Sequence, residues 1–169
     1  MENHGFVHLS AGDLLRAERD SGSADADLIN GYIKAGKIVP VKITCNLIKI
    51  AMEKNGWEEK RFLIDGFPRN EDNLNGWNEV VGDKANLQKI LLFECDEETL
   101  TSRILERGKT SGRNDDNLES LLKRFNTFKD ETMPVIEMFE KDKKDLVARI
   151  DSTKSIKDVH KAIRKILKI

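Results

Sequence analysis

Residues 61–70, RFLIDGFPRN, join four groups of different chemistry at the end of one apolar stretch. Asp65 offers a carboxylate that could meet a metal ion directly or through water. Gly66 lets backbone approach a ligand closely, and Pro68 stiffens the corner, restricting Phe67 as well. The corner then aims the guanidinium of Arg69. Taken alone the string also fits a plain turn, since Asp-Gly is common in turns and Pro stops a strand. Further arginines raise the chemical interest. Arg16 lies near the start of a helical segment, Arg107 in the last turn of another, Arg113 beyond a glycine-flanked loop, and Arg124 beside an apolar stripe. Planar guanidinium forks suit phosphate oxygens, and several converging on one point would neutralise a polyphosphate. Each arginine alone fits a solvated surface residue, and spacing cannot make them converge.

The elements that must position these groups follow from pattern. Phe6 to Ser10 is a short apolar piece, and SAGD places Ser10 as an N-cap with Asp13 three residues on. Leu28, Ile29, Tyr32 and Ile33 recur at helical spacing before Gly36; Ile43, Leu47, Ile48 and Ala51 do so before Asn55-Gly56. RFLID and KILLFEC are nearly continuous apolar runs, the pattern of parallel strands buried on both faces, and LVARI is a weaker third. Asp96, Glu97 and Glu98 open a helix that ends near Gly108. A longer helix carries Leu118, Leu121, Leu122, Phe125 and Phe128 on one side and breaks at Pro134, which begins the next. The last helix starts at Ser155 and puts Val159, Ile163, Ile166 and Leu167 on one face. Such alternation predicts an α/β fold with an open parallel sheet flanked by helices, whose strand carboxyl ends bind ligands. ERGKTSGRNDD, small, polar and mixed in charge, reads as a mobile flap.

Composition narrows the function classes. The chain has 169 residues, 29 basic and 30 acidic, with a formal net charge of -1, so no global field recruits nucleic acid or an anionic membrane. No apolar run approaches the length of a membrane span, and the first residues do not read as a secretion signal, which makes a soluble cytoplasmic protein the expectation, with the nucleus as an alternative. Cys45 and Cys95 form neither a disulfide framework nor a metal cluster. His4, His8 and His160 pair with no nucleophile or metal set and read as solvated or hydrogen-bonded side chains. Trp57 and Trp77 read as covers for helix ends. The basic carboxyl-terminal KAIRKILKI fits an interaction helix, but its apolar spacing is also what packing on a sheet requires.

HLSAGDLLR (8–16), GKIVP (36–40), FLIDGFPRNEDN (62–73), ERGKTSGRNDDN (106–117) and Lys123-Arg124 occur in the order and at about the spacings of nucleoside monophosphate kinases. The whole chain resembles the adenylate kinase family, its UMP-CMP kinase branch most of all. Ala11, where adenylate kinases generally carry Thr, and Asn73, where Gln is usual for AMP, favour that branch. The resemblance implies one domain over 1–169, with a helical monophosphate-binding insertion at about 11–41 and a short lid at about 107–117. It implies reversible transfer of the γ-phosphoryl group from ATP with Mg²⁺ to CMP or UMP, feeding pyrimidine nucleotide synthesis.

By the same resemblance Arg16 and Arg69, on the corner of Gly66, Phe67 and Pro68, hold the monophosphate. Lys37, Ile38 and Val39, through backbone, and Asn73 read its base. Arg107, Arg113 and Arg124 clamp ATP and the transferring group, Asp65 reaches Mg²⁺ through water, and the backbone near Lys154 borders the ATP base. An adenylate kinase acting on AMP and a non-catalytic nucleotide-binding or interaction protein built on this fold are the alternatives. One departure stands out. The family begins with a strand and a glycine-rich loop, G-x-x-x-x-G-K, that cradles the ATP phosphates. No such strand and loop open this sequence; MENHGF aligns with the end of the helix that follows the loop, about two dozen residues into the family pattern. The expectation is an incomplete record of a longer kinase with negligible activity by itself, the others being a short monophosphate-binding module or an assembly with a strand-completing partner. Family members are commonly monomers.

Overall fold

A computed structural model describes residues 4–113 and 115–169. The expected turn from helix at the amino terminus falls partly on residues 1–3, outside that range, and Asn114 of the expected lid lies outside it too. The α/β alternation is present. In chain order the elements are β1 (Phe6–Ser10), α1 (Ala11–Asp20), α2 (Ala26–Lys34), α3 (Val41–Lys54), β2 (Arg61–Asp65), α4 (Glu71–Val80), β3 (Ile90–Glu94), α5 (Glu97–Gly108), α6 (Leu118–Thr127), α7 (Met133–Asp142), β4 (Val147–Asp151) and α8 (Ile156–Leu167).

Local chemistry starts most of these helices. Ser10, Asn70, Asp96, Asn117 and Ser155 are extended N-caps whose side-chain oxygens accept the amides of Asp13, Asn73, Thr99, Ser120 and Asp158. The strands pair in parallel, β1 with β2 from Phe6–Arg61 to Ser10–Asp65, and β3 with β4 from Ile90–Val147 to Glu94–Asp151. Each pair is a separate two-stranded sheet. The free edges of β2 and β3 both line a cavity of about 2380 Å³. This split corrects one expectation: RFLID and KILLFEC are not buried on both faces, since Leu63 is half-buried and Phe93 is 49% exposed beside that cavity.

The larger core sits between β1, β2 and α3, where Leu9, Ala11, Ile48, Ala51 and Met52 are buried against Phe62, Ile64, Trp57 and Trp77. A smaller one, Leu15, Ile29 and Val39, joins α1, α2 and the loop before α3. Trp57 donates to the Lys84 carbonyl at 3.2 Å, and Trp77 packs on Phe67 with ring centroids 5.5 Å apart, so both serve the core. Residues 118–142 depart from the sequence reading. The α6 helix ends at Thr127, earlier than expected, and a π-helical turn at Phe128–Thr132 carries the chain into α7, which has Pro134 in its first turn as the sequence implied. Leu118, Leu122 and Phe128, expected on a buried stripe, are 50%, 51% and 42% exposed, because Leu121 alone of that set reaches the core side fully. Helix α8 half-buries Val159, Ile163, Ile166 and Leu167, as its spacing requires. Among the described residues no helix is long and apolar enough to cross a membrane.

Candidate functional site

At the carboxyl ends of β1 and β2 the chain turns directly into α1 and into the Asp65–Asn70 corner. These two turns, the loop Gly36–Val39, α3, α6 and the end of α5 enclose a cavity of about 430 Å³. All five arginines singled out from the sequence line it: Arg16, Arg69, Arg107, Arg113 and Arg124. So do Lys37, Ile38, Val39, Asp65, Gly66 and Asn73. Phe67 and Pro68 face the larger cavity between the sheets instead, under Trp77. Lys154 is not brought in; it is 62% exposed and pairs with Asp151 at 3.6 Å, at the far end of β4.

The corner is clamped from several sides. Gly66 has φ +72°, and a Cβ there would stand 3.1 Å from an Arg69 guanidinium nitrogen. Without one, Arg69 Nε donates to the Gly66 carbonyl at 2.8 Å. Asn73, 2% exposed, accepts the Arg69 amide on Oδ1 at 3.2 Å. The π-helical turn supplies the third clamp: Thr132 donates its hydroxyl to the Arg69 carbonyl at 2.7 Å, and Glu131 accepts from Asn70 at 3.1 Å.

Charge in the cavity is unevenly matched. Five guanidinium groups and the Lys37 ammonium face the carboxylates of Asp13, Asp65 and Asp115. Asp13 takes Arg16 at 2.5 Å and Arg113 at 2.9 Å on one oxygen, tying α1 to the loop after α5. The Arg16 hydrogen bond and the nearby Arg113 charge hold its carboxyl below the usual range, against the opposing effect of burial. Arg124 reaches Asp115 at 3.3 Å. Arg107 is held harder: Nε and Nη2 grip Asp116 at 2.8 and 2.6 Å, Ser111 also donates to that carboxylate at 2.8 Å, and the Asp116 side chain is fully enclosed. Arg107 thus ends in a carboxylate fork, a fixed post of the loop. Arg69 differs from these. Among the described residues no carboxylate lies within ion-pair distance of it. Burial, then the like charges of Arg124 and Arg16, push its pKa below the usual arginine value.

Among the described residues the one ion-pair partner of Asp65 is His8 Nε2, at 3.8 Å, and the Asp65 side chain is 66% exposed. No group of three or more metal-ligating side chains occurs among the described residues. A single free carboxylate at a strand end fits a hard cation carried in by phosphates, and does not by itself make a cage. Sequence reasoning singled out neither three lining groups, Asp13, Asp115 and Thr44, nor Asp116, which holds Arg107 from behind. Asp13 was legible only as a helix-cap partner; Asp115 and Asp116 are adjacent acids in a polar loop; buried Thr44, on α3, carried no signal beyond a polar residue inside an apolar helical pattern. The string Gly31–Lys37 has the spacing G-x-x-x-x-G-K, but it is the end of α2 and is followed by Ile38, where the phosphate loop needs Ser or Thr.

An α/β chain that gathers this excess of guanidinium groups at the carboxyl ends of parallel strands, under an arginine-bearing loop, defines a protein built to hold phosphate-bearing anions. The chain belongs to the adenylate kinase family, whose model, described as adenylate kinase, matches residues 1–144, and it is a nucleoside monophosphate kinase. A UMP-CMP kinase of Danio rerio is 51% identical over 171 residues, covering 99% of this chain and 86% of the relative. UMP-CMP kinases of Gallus gallus and Homo sapiens are 50% and 48% identical, covering 96% and 94% of this chain and 84% and 82% of the relatives.

Proposed function

We propose that the cavity at β1 and β2 holds a pyrimidine nucleoside monophosphate, CMP or UMP, as phosphoryl acceptor. The observation that carries this is Arg69, a half-buried cation with no carboxylate partner among the described residues, set between Arg16 and Arg124. A phosphate dianion relieves that repulsion and accepts from several forks at once. The likeness to UMP-CMP kinases of Danio rerio, Gallus gallus and Homo sapiens supports the pyrimidine. Lys37, Ile38, Val39 and Asn73 would face the base, at the end of the cavity away from the arginine of the loop. ATP is the donor that the family uses. Arg113 and Arg124 would meet its transferring phosphoryl group by exchanging Asp13 and Asp115 for phosphate oxygens. Mg²⁺ would neutralise phosphate charge there, with Asp65 the residue placed to hold its water shell. Phosphoryl transfer needs little covalent help and much positioned charge, which this arrangement supplies.

A strand-completing partner, one of the alternatives the sequence left, stays part of the proposal: an extended strand parallel to β2 and β3 would satisfy both open ladders. The test of the acceptor site is calorimetric titration with CMP, UMP and AMP, because binding does not depend on the donor. CMP and UMP should bind more tightly than AMP, and Arg69→Ala should weaken both by about one hundredfold, the loss of a charge-assisted bidentate contact. Preference for AMP would support the adenylate alternative, and binding unchanged by Arg69→Ala would place the phosphate elsewhere.

A further inference from the structure

We propose that Thr44 is a specificity-determining residue that reads the base of the bound monophosphate beside Asn73 and lets one site accept both an amino and an oxo pyrimidine. The inference rests on the acceptor site proposed above. Thr44 lies on the first turn of α3, is 5% exposed, and lines the same cavity as Asn73 and Lys37–Val39. Its neighbour Cys45 points Sγ at the Asn73 carbonyl at 3.9 Å, which holds α3 against α4 at this level. A threonine on a helix ordinarily turns its hydroxyl back on the carbonyl four residues earlier. Here that carbonyl, of Pro40, receives the amides of Ile43 and Thr44 at 3.1 and 3.3 Å, and the Thr44 hydroxyl makes no hydrogen bond to any described residue. It is also not one of the enclosed unsatisfied atoms, which are Arg19 Nη1 and Asp115 Oδ1, so its oxygen keeps access to the cavity. A buried hydroxyl without a protein partner costs free energy that a ligand or water must offset.

The chemistry of the two polar side chains is complementary. The Arg69 amide occupies Asn73 Oδ1, which leaves the Nδ2 hydrogens as donors. A hydroxyl both donates and accepts, and it rotates at little cost. Cytosine and uracil differ by exchanging a donor for an acceptor at position 4 and the reverse at N3. A rotating hydroxyl meets either pattern, whereas a fixed amide or a charged group would favour one.

The experiment is titration of the wild-type chain, Thr44→Val and Thr44→Ser with CMP, UMP and ribose 5-phosphate, which carries the phosphate and no base. Thr44→Val should weaken CMP and UMP alike, by about threefold to tenfold for one hydrogen bond, and leave ribose 5-phosphate unchanged. Thr44→Ser should bind all three like the wild type. Unaltered CMP and UMP affinity in Thr44→Val overturns the inference while leaving the acceptor site standing. Equal weakening of ribose 5-phosphate also overturns it, because the effect would then be structural. A wild-type chain that binds none of the three sinks the acceptor reading and this inference together. Should Thr44→Val fail to fold, Thr44→Ala removes the same hydroxyl from a helix that tolerates alanine, and the same outcomes apply.

Discussion

Replacing Asp116 by Asn tests whether the loop after α5 is locked to its helix by one ion pair. The carboxylate accepts Arg107 Nε at 2.8 Å, Arg107 Nη2 at 2.6 Å and Ser111 Oγ at 2.8 Å, and its side chain has no exposed surface. An amide keeps the shape but has one acceptor, so in either orientation its NH₂ confronts an arginine N–H, that of Nε or that of Nη2. Breaking a fully buried pair costs about 3–5 kcal/mol. The Arg107 side chain is 44% exposed, so water takes up much of its charge and the expected loss falls to about 2 kcal/mol. In a domain of this size that lowers Tm by about 4–8 °C. The pH dependence fixes the cause. The Arg107 hydrogen bonds hold the Asp116 carboxyl below its ordinary value. Its contribution is therefore complete above the unfolded value of about 3.9 and is lost as pH falls through the lower folded value. Urea unfolding followed by circular dichroism should show the full gap between wild type and Asp116→Asn at neutral pH and a narrowing gap below about pH 4. A gap under about 0.5 kcal/mol at neutral pH, or one that does not narrow in acid, refutes the reasoning.

Asp13→Asn removes the carboxylate that Arg16 and Arg113 share. Since it competes with phosphate for both, CMP should bind about twofold to fivefold more tightly at low salt, with the gain fading at high salt; weaker binding in the variant would show that Asp13 orients Arg16 instead. The two cysteines should separate in a native thiol titration with a disulfide reagent. Burial pushes the Cys45 thiol up to about 11, and Cys45 is fully covered, whereas Cys95 is half-buried. One thiol should react at once and the other only on unfolding, and two fast thiols would contradict the packing of α3 on α4.

What the sequence made legible was mostly local. Strands RFLID and KILLF, the caps Ser10, Asp96 and Ser155, and the stop at Asn55-Gly56 depend on neighbours a few residues away, so pattern suffices for them. Convergence is different. Arg113 meets Asp13 across 100 residues, and no spacing rule foretells that contact; the resemblance to a family implied that the arginines share a site and said nothing of Asp13. The missed groups share a cause. Asp13, Asp115 and Asp116 serve arginines; the acids of ERGKTSGRNDD stand beside basic groups that they could hold, but sequence does not say which acid takes which arginine. The π-helical turn was missed because Pro134, just beyond it, announces the start of α7 and not the form of the turn, which packs against the Arg69 corner. The exposed Leu118 and Leu122 show the limit of periodicity: it names a face without naming what covers it.

The two halves of the molecule end their strands in opposite electrostatic states, and this explains why the site is one-sided. At β3 and β4 the carboxyl ends carry Glu94 and Asp151. Arg149 is spent on Glu94 and Glu140 at 2.6 and 2.7 Å, Lys154 on Asp151, and the Ser152 amide caps the Glu94 carbonyl at 2.8 Å. Arg103 at the same end donates to the Ser152 carbonyl at 2.8 Å and has no carboxylate within ion-pair distance among the described residues. At β1 and β2 the cations outnumber the acids, and a net charge of -1 over the chain hides the excess. Asp13, Asp115 and Asp116 do more than dilute that excess. They hold Arg16, Arg113, Arg124 and Arg107 in hydrogen-bonded positions, so an arriving phosphate exchanges one oxygen acceptor for another and the guanidinium groups need not be desolvated and ordered afresh. Arg69 has only the Gly66 carbonyl as its side-chain partner among the described residues. Of the arginines in the cavity it is the one that no carboxylate of the described residues matches, which makes the rigid corner, more than the arginine loop, the place where an anion gains.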